Sequence, residues 1–126
     1  MVGGTLNFYF KIDPSMIYDL GYWRVPLTNR EKHREIMRAI YSNLKSKHEE
    51  FSVKSSRLFI MKTESNAFET WLYINVFADE AAHAKNAKAL DRDATAVILR
   101  EKWESLILAG SFKAEKWTEF APELWI

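Results

Sequence analysis

Chemistry in this sequence would depend on one histidine and two asparagines that lie near alternating aromatic stretches. An imidazole titrates near neutral pH, so His83 suits a general base if it faces a pocket. Asn7 and Asn75 lie among aromatic residues, where an amide can hydrogen-bond a ligand carbonyl or stabilise a developing oxyanion. His83 and Asn7 are the catalytic candidates. The structural alternatives are a surface histidine and amides that pair across a subunit interface.

Large aromatic side chains near these groups could form the wall of a binding pocket. Trp71 and Tyr73 could stack on a ligand, or could form plain interface core. Arg24 could pair with an anionic ligand or with a surface carboxylate. The residues that we predict to bind a ligand are Tyr9, Tyr22, Trp23, Arg24, Trp71, Tyr73 and Asn75.

Several classes of function are disfavoured by composition. The chain has three scattered histidines and no cysteine, so we predict no metal site and no thiolate nucleophile. Its glycines, at positions 3, 4, 21 and 110, form no phosphate-binding loop. A net charge of +1 without a basic tract argues against nucleic-acid binding. With no apolar run long enough for a bilayer and no basic leader, we expect a cytoplasmic protein.

The stretch over residues 70–79 alternates with a period of two, which predicts a strand with two unlike faces. One face carries Leu72, Ile74, Val76 and Ala78, and the other carries Trp71, Tyr73, Asn75 and Phe77. We expect the aliphatic face to pack on helices. The aromatic and polar face is too large for ordinary solvent contact, so we expect it to line a pocket or a subunit interface.

Apolar periodicity along the chain predicts four strands and three helical pieces. The strands are expected over residues 5–11, 56–63, 70–79 and 112–120, and the helices over 28–49, 80–90 and 93–108. Asp79 and Asp93 are placed to cap the last two helices. The order β-α-β-β-α-β, with a split last helix, predicts one ferredoxin-like α+β domain over residues 1–126, with a four-stranded antiparallel sheet.

Residues 14–26 form a hydrophobic segment bounded by two prolines. We interpret it as an insertion between the first strand and the first helix, which either caps the domain or closes over a pocket. In the latter case Tyr22, Trp23 and Arg24 would face the ligand. The uncovered face of the sheet, with Asn7 and Tyr9 beside the aromatic strand, predicts a homodimer in which two sheets meet.

The segment from Trp71 to Ala84 carries a resemblance to a known family. Its aromatic strand runs into the alanine-rich helix Asp79-Glu80-Ala81-Ala82-His83-Ala84. This resembles the dimeric α/β-barrel superfamily, and within it the antibiotic-biosynthesis-monooxygenase-like group. The resemblance implies a pocket between the sheet and the following helix. It also implies oxidation of an aromatic or apolar molecule by O₂, without a cofactor, after deprotonation of the substrate.

Three alternatives remain open. Haem-degrading members of the superfamily use an axial histidine with an Asn and a Trp nearby, which Asn7, Trp71 and His83 could match. In those members the Trp lies on a helix, whereas Trp71 lies in the middle of a predicted strand, so we predict no cofactor. A dimeric ligand-binding or regulatory protein without catalysis is the second alternative. An RNA-recognition motif has the same element order, but strand three lacks its glycine and basic residue.

Overall fold

The computed structural model describes residues 16–62 and 65–126. Within these ranges the chain forms four strands, β1 (Ile17–Pro26), β2 (Ser55–Ile60), β3 (Phe68–Phe77) and β4 (Lys113–Trp117). It also forms three α-helices, α1 (Arg30–Ser46), α2 (Glu80–Arg92) and α3 (Ala94–Leu106). Short 3₁₀ turns precede α1 and follow β4. None of these helices is long and apolar enough to cross a bilayer, as far as the described residues extend.

The strands form one antiparallel sheet in the order β2-β3-β1-β4. The two central strands pair along their whole length, from Ile17 opposite Phe77 to Pro26 opposite Phe68. This arrangement confirms the predicted ferredoxin-like α+β fold with a split last helix. It also places the residues of β1 and β3 side by side in the middle of the sheet.

Two aspartates define where the last two helices begin. Asp79 Oδ1 accepts a hydrogen bond from the Ala82 backbone N–H at 2.8 Å, and Asp93 Oδ2 accepts one from Ala96 at 2.9 Å. Each carboxylate thereby satisfies a backbone donor that has no partner within its own helix. Asp93 has extended backbone angles, so it also ends α2 and separates the two helices. Both predicted caps are confirmed.

The interpretation of residues 14–26 as an insertion is wrong from residue 17 onwards. These residues form the central strand β1, which pairs with β3 on one side and β4 on the other. Pro26 is compatible with this because it stands at the end of the strand. Its alternation is regular: Ile17, Trp23 and Val25 are buried on one face, whereas neighbouring residues are more exposed. The strand predicted over residues 5–11, with Asn7 and Tyr9, lies outside the described residues.

The two faces of β3 are also the reverse of our prediction. The helices cover the aromatic face, where Trp71 and Phe77 are buried. The aliphatic face is the uncovered one, and its residues are half-buried. A period of two separates the faces of a strand without telling which one is covered. Aromatic rings have the larger apolar area, so their burial beneath helices stabilises the fold more than burial of the aliphatic residues would.

Two hydrophobic clusters join the aromatic face of the sheet to the helices. The first cluster lies against residues of α1 and α3, and consists of Trp23, Val25, Met37 and Trp71. The second packs mainly against residues of α2, and consists of Ile17, Phe51, Val53 and Phe77.

His33 is fully buried in α1 and belongs to the packing of the first cluster. Its Nε2 accepts a hydrogen bond from the Trp23 indole N–H at 3.0 Å, and its ring lies edge-on to Trp71 with centroids 4.6 Å apart. Burial lowers the pKa of His33 from 6.5 to about 4, because the charged imidazolium would lose its hydration. His33 is therefore a neutral acceptor at physiological pH.

We expect this burial to make folding stability fall with acidification between pH 6.5 and pH 4. In that window the unfolded chain binds a proton at His33 and the folded chain does not, so up to about 3 kcal/mol of the free energy of unfolding is lost. Urea denaturation at a series of pH values would measure it. His33→Gln should flatten the profile in this window.

His48→Gln is the matched control, since His48 is exposed at the end of the same helical region. Its profile should follow that of the wild type. The pKa of Asp93 is lowered to about 2, mainly by its hydrogen bond from Lys47. The contribution of Asp93 to folding stability is therefore lost only below about pH 4, outside the window in which His33 acts. An unchanged acid-dependent loss in His33→Gln would contradict the assignment.

Candidate functional site

A cavity of about 260 Å³ lies between the aromatic face of the sheet and the helices. Its apolar wall includes the rings of Trp23, Trp103 and Phe112. Trp103 lies edge-on to both of the other rings, with centroid distances of 5.3 Å to each. This volume lies just below the roughly 300–1,000 Å³ of typical ligand pockets, so the cavity suits a small, flat, mainly apolar molecule.

The central strand pair places two polar side chains next to each other on the cavity wall. Asp19 of β1 stands directly opposite Asn75 of β3 in the antiparallel register, and both residues line the cavity. Directly opposed residues point to the same face, with Cβ atoms roughly 4.5–5.5 Å apart. A carboxylate and an amide are therefore held side by side by the backbone of the sheet.

Asp19 contacts one side chain inside the cavity and one that is partly exposed on α2. The Tyr73 hydroxyl donates to Asp19 Oδ2 at 3.4 Å, and His83 Nε2 lies 3.6 Å from the same oxygen. Tyr73 lines the cavity, whereas His83 lies on α2 and is partly exposed. Burial raises the pKa of Tyr73 above its usual value, and the nearby charge of Asp19 adds to the effect. Tyr73 is therefore a neutral hydrogen-bond donor.

A second polar chain crosses the cavity wall from α1 to β3. The hydroxyls of Tyr41 and Ser56 lie 2.6 Å apart, and the Ser56 hydroxyl donates to Asn75 Oδ1. Burial raises the pKa of Tyr41 as well. Three elements, α1, β2 and β3, thus fix the orientation of the Asn75 amide.

Gly21 makes room for Tyr73 at the centre of the site. It stands opposite Tyr73 in the register, and a Cβ at position 21 would overlap the tyrosine ring. The ring therefore lies over the bare backbone of β1. This position brings its hydroxyl to Asp19, two residues earlier on the same strand.

The predicted site residues are separated by the two faces of the sheet. Trp23, Tyr73 and Asn75 line the cavity. Trp71 lies deeper, buried against His33, with its indole N–H donating to Glu69 Oε1 at 3.2 Å.

Tyr22 and Arg24 lie on the opposite face, away from the cavity, because residues of β1 alternate with Trp23. The Arg24 guanidinium lies 4.8 Å from the centre of the Phe68 ring on that face. Their predicted place on the pocket wall is corrected accordingly. Asn7 and Tyr9 lie outside the described residues.

Asp19, Tyr41 and Ser56 are site residues that the sequence did not reveal. Asp19 belongs to the segment that we interpreted as an insertion, so nothing placed it opposite Asn75. Ser56 lies near the start of a predicted strand and Tyr41 lies on the apolar side of a predicted helix. Serine and tyrosine are common at such positions, so neither residue indicated a site. An alternating reading of residues 17–26 would have placed Asp19 on the same face as Trp23.

Haem does not fit the described residues. The ring of His83 packs edge-on to Phe77 with centroids 5.0 Å apart, and its Nε2 faces Asp19 rather than the cavity. Trp71 is enclosed in the core, so it cannot lie beside a macrocycle in the cavity. Over residues 16–62 and 65–126, no three histidine, aspartate or glutamate side chains are grouped as ligands for a metal ion.

Comparison of the sequence with protein-family models and with curated proteins gives no match. Solved structures, in contrast, share the fold. A candidate antibiotic biosynthesis monooxygenase from Caulobacter crescentus has a TM-score of 0.64 at 12% identity, covering 90% of this chain and 98% of its own.

Two further solved structures are enzymes with different activities. SnoaB, a cofactor-independent oxygenase from Streptomyces nogalater, has a TM-score of 0.58 at 11% identity, covering 86% of this chain and 98% of its own. A hydroxynitrile lyase from Passiflora edulis has a TM-score of 0.61 at 12% identity, covering 86% and 96%. The resemblance to antibiotic-biosynthesis-monooxygenase-like proteins is thus confirmed at the level of the fold.

We expect Gly21→Ala to displace the Tyr73 ring and to lower the free energy of unfolding by about 1–3 kcal/mol, as overpacking does in other cores. The double variant with Tyr73→Leu should recover part of the loss, because a flexible aliphatic side chain can move away from the new methyl group. A double-mutant cycle of urea denaturation measures this coupling. Additive effects of the two substitutions would contradict the close approach of residues 21 and 73.

Proposed function

We propose that this protein is a cofactor-independent monooxygenase-like enzyme, which acts on a small aromatic or apolar molecule held beneath the helices. The observation that carries the proposal is Asp19, a carboxylate on the wall of a mainly apolar cavity, with Tyr73 and His83 on one of its oxygens. A positioned carboxylate of this kind can remove a proton from a bound ligand. His83, our original candidate base, contacts Asp19 but does not itself line the cavity.

Each of the three residues has a role in this proposal. Asp19 accepts the proton of the ligand. His83, whose Nε2 lies 3.6 Å from Asp19 and which is partly exposed, takes this proton from Asp19 and passes it to solvent. Tyr73 remains a neutral phenol because its pKa is raised, so it orients Asp19 by hydrogen bonding.

Proton removal prepares a ligand for reaction with O₂. A carbon acid next to a ring or a carbonyl becomes an electron-rich carbanion or enolate, which can reduce O₂ directly. A methylene group and O₂ then give a carbonyl group and water, so the substrate itself supplies the electrons. Asn75, whose amide lies beside Asp19, is positioned to stabilise the developing negative oxygen. The fold shared with SnoaB, a cofactor-independent oxygenase, supports this choice of reaction.

Ligand binding without catalysis is the second candidate. It is favoured by the chain from Tyr41 through Ser56 to Asn75, which holds the amide in an orientation suited to recognition as well as to chemistry. A hydroxynitrile lyase has the same fold, so this fold does not by itself imply oxygenation. Measured turnover separates the two candidates.

We further propose that a second copy of the chain covers the open face of the sheet. Cross-strand register places many apolar side chains on this face: Leu20, Tyr22, Phe59, Leu72, Ile74, Val76 and Trp117. Arg57, Lys113 and Glu115 lie on its outer strands. Three of the apolar residues, Tyr22, Phe59 and Trp117, are 39%, 45% and 54% exposed. A patch of this kind is typical of protein interfaces, and a two-fold axis through it lets the same surface serve both copies.

We expect Asp19→Asn to slow proton abstraction by about 100-fold or more, because a neutral amide is a poor base. The probe is 2-tetralone, a two-ring ketone with an acidic methylene group. Hydrogen–deuterium exchange at that methylene, followed by NMR, measures proton removal, and an oxygen electrode measures oxidation. His83→Ala should cause a smaller loss.

Asp91→Asn is the control, since Asp91 is an exposed carboxylate on α2 and should leave both rates unchanged. Binding of the ketone without any exchange would favour the non-catalytic candidate. Exchange without oxygen uptake would support Asp19 as the base but would contradict the proposal that the reaction is an oxygenation.

We expect Ile74→Glu to convert a dimer into a monomer, because it places a charge in the middle of the open face. Light scattering after size-exclusion chromatography gives the mass of each species. Lys88→Glu, on the exposed surface of α2, is the control and should leave the mass unchanged. A monomeric wild-type protein would refute the second-copy proposal.

A further inference from the structure

The hydrogens of the polar chain on the cavity wall have one consistent arrangement. Ser56 has a single hydroxyl hydrogen, and it donates this hydrogen to Asn75 Oδ1. The short contact between Tyr41 and Ser56, at 2.6 Å, therefore uses the hydrogen of Tyr41. The tyrosine stays protonated because its pKa is raised by burial. Both hydroxyl hydrogens of the chain then have an acceptor.

Because Asn75 Oδ1 accepts the hydrogen bond from Ser56, the other end of the amide is not engaged by this hydroxyl. The amide Nδ2 is the free end. No group in the described part of the chain accepts a hydrogen bond from it, and Asn75 lines the cavity.

Asp19 presents the complementary group beside this donor. Its Oδ2 is in contact with Tyr73 and His83, whereas its Oδ1 has no partner among residues 16–62 and 65–126. Because Asp19 and Asn75 are directly opposed in the register, a free acceptor and a free donor lie side by side on an otherwise largely apolar wall.

We propose that the Asp19–Asn75 pair recognises a ligand whose edge carries a hydrogen-bond donor next to a carbonyl oxygen, such as a lactam or the enol of a dicarbonyl compound. The donor of the ligand binds Asp19, and its carbonyl binds the amide of Asn75. This inference rests on the proposed site and names the class of molecule that it takes. It does not require that the bound molecule reacts.

Chemical complementarity makes this pair selective. A ligand that lacks the donor leaves the carboxylate of Asp19 desolvated and unpaired, and a ligand that lacks the carbonyl does the same to the Asn75 amide. The aromatic rings of Trp23 and Phe112 contact the flat body of any such ligand without regard to its edge. The polar pair therefore determines which ligands are preferred, whereas the rings contribute affinity for any flat apolar molecule.

Three bicyclic probes of nearly equal shape isolate the two contacts. The compound 2-quinolone has an N–H next to a C=O, its 1-methyl derivative has only the C=O, and naphthalene has neither. Isothermal titration calorimetry gives the affinity of each. We expect 2-quinolone to bind at least about tenfold more tightly than 1-methyl-2-quinolone, which corresponds to one hydrogen bond to a charged group. Naphthalene should bind most weakly.

Substitutions assign each contact to its residue. Asn75→Ala should weaken both lactams by a similar factor and leave naphthalene unchanged, whereas a merely structural role would weaken all three. Asp19→Asn should remove most of the preference for the free N–H. Ser56→Ala should weaken the lactams several-fold, since the amide loses its orienting partner. Ser105→Ala, on the exposed side of α3, is the control and should bind as the wild type does.

Two outcomes would overturn the inference. One is equal affinity of the wild-type protein for 2-quinolone and naphthalene. The other is unchanged lactam binding in Asn75→Ala. Neither outcome depends on turnover, because 2-quinolone is used as a ligand and not as a substrate. Tight, edge-selective binding together with absent exchange of 2-tetralone would support this inference while the enzymatic proposal fails.

Discussion

The structure depends on the hydrogen bond between the Trp23 indole and the His33 imidazole. Trp23 is almost completely buried at the centre of the aromatic face, where its ring is close to those of His33, Trp71, Tyr73, Trp103 and Phe112. An indole N–H at this depth needs an acceptor, and a neutral imidazole from α1 provides it. The bond ties the first helix to the central strand. The neighbouring rings then set the spacing between sheet and helices that leaves the cavity open.

The polar groups of the candidate site lie mainly in the middle of the sheet and much less in the loops. Asp19, Tyr73 and Asn75 all belong to the two central strands, so their relative positions are fixed by ladder hydrogen bonds along ten residue pairs. Ser56 joins them from β2 through the same sheet. Sites on regular elements hold their groups more accurately than sites on loops. One fold is shared by an oxygenase and a hydroxynitrile lyase, so the fold by itself does not specify a reaction.

The caps of α2 and α3, and the order of elements after the first strand, could be predicted because they depend on local chemistry. Asp79 and Asp93 act on backbone groups three residues away, and the period of two in residues 70–79 follows from strand geometry. The period of two does not tell which face of β3 is covered, because this depends on which side chains the helices place against the sheet. Both aliphatic and aromatic residues are apolar, and our preference for an aliphatic core placed the helices on the wrong side.

The site itself was only partly predictable for a related reason. Tyr73, Asn75 and Trp23 stood out by residue type, but their partners are set by register and by contacts distant in sequence. Asp19 and Tyr73 are 54 residues apart, and a lone aspartate in a mainly apolar segment gave no sign of the contact. The two prolines around residues 14–26 suggested an insertion, although Pro26 stands at the end of a strand, where it interrupts no ladder bond.

The close approach of Gly21 and Tyr73 has a consequence for how this sequence can diverge. A relative that acquires a side chain at position 21 must displace or replace the ring at position 73, because both cannot occupy the same space. The two positions should therefore covary as a pair. Chains that retain the phenol beside Asp19 would retain the glycine, and chains that lose the glycine would have a differently built cavity wall. A single small residue on β1 would thus distinguish these two groups by their sequences alone.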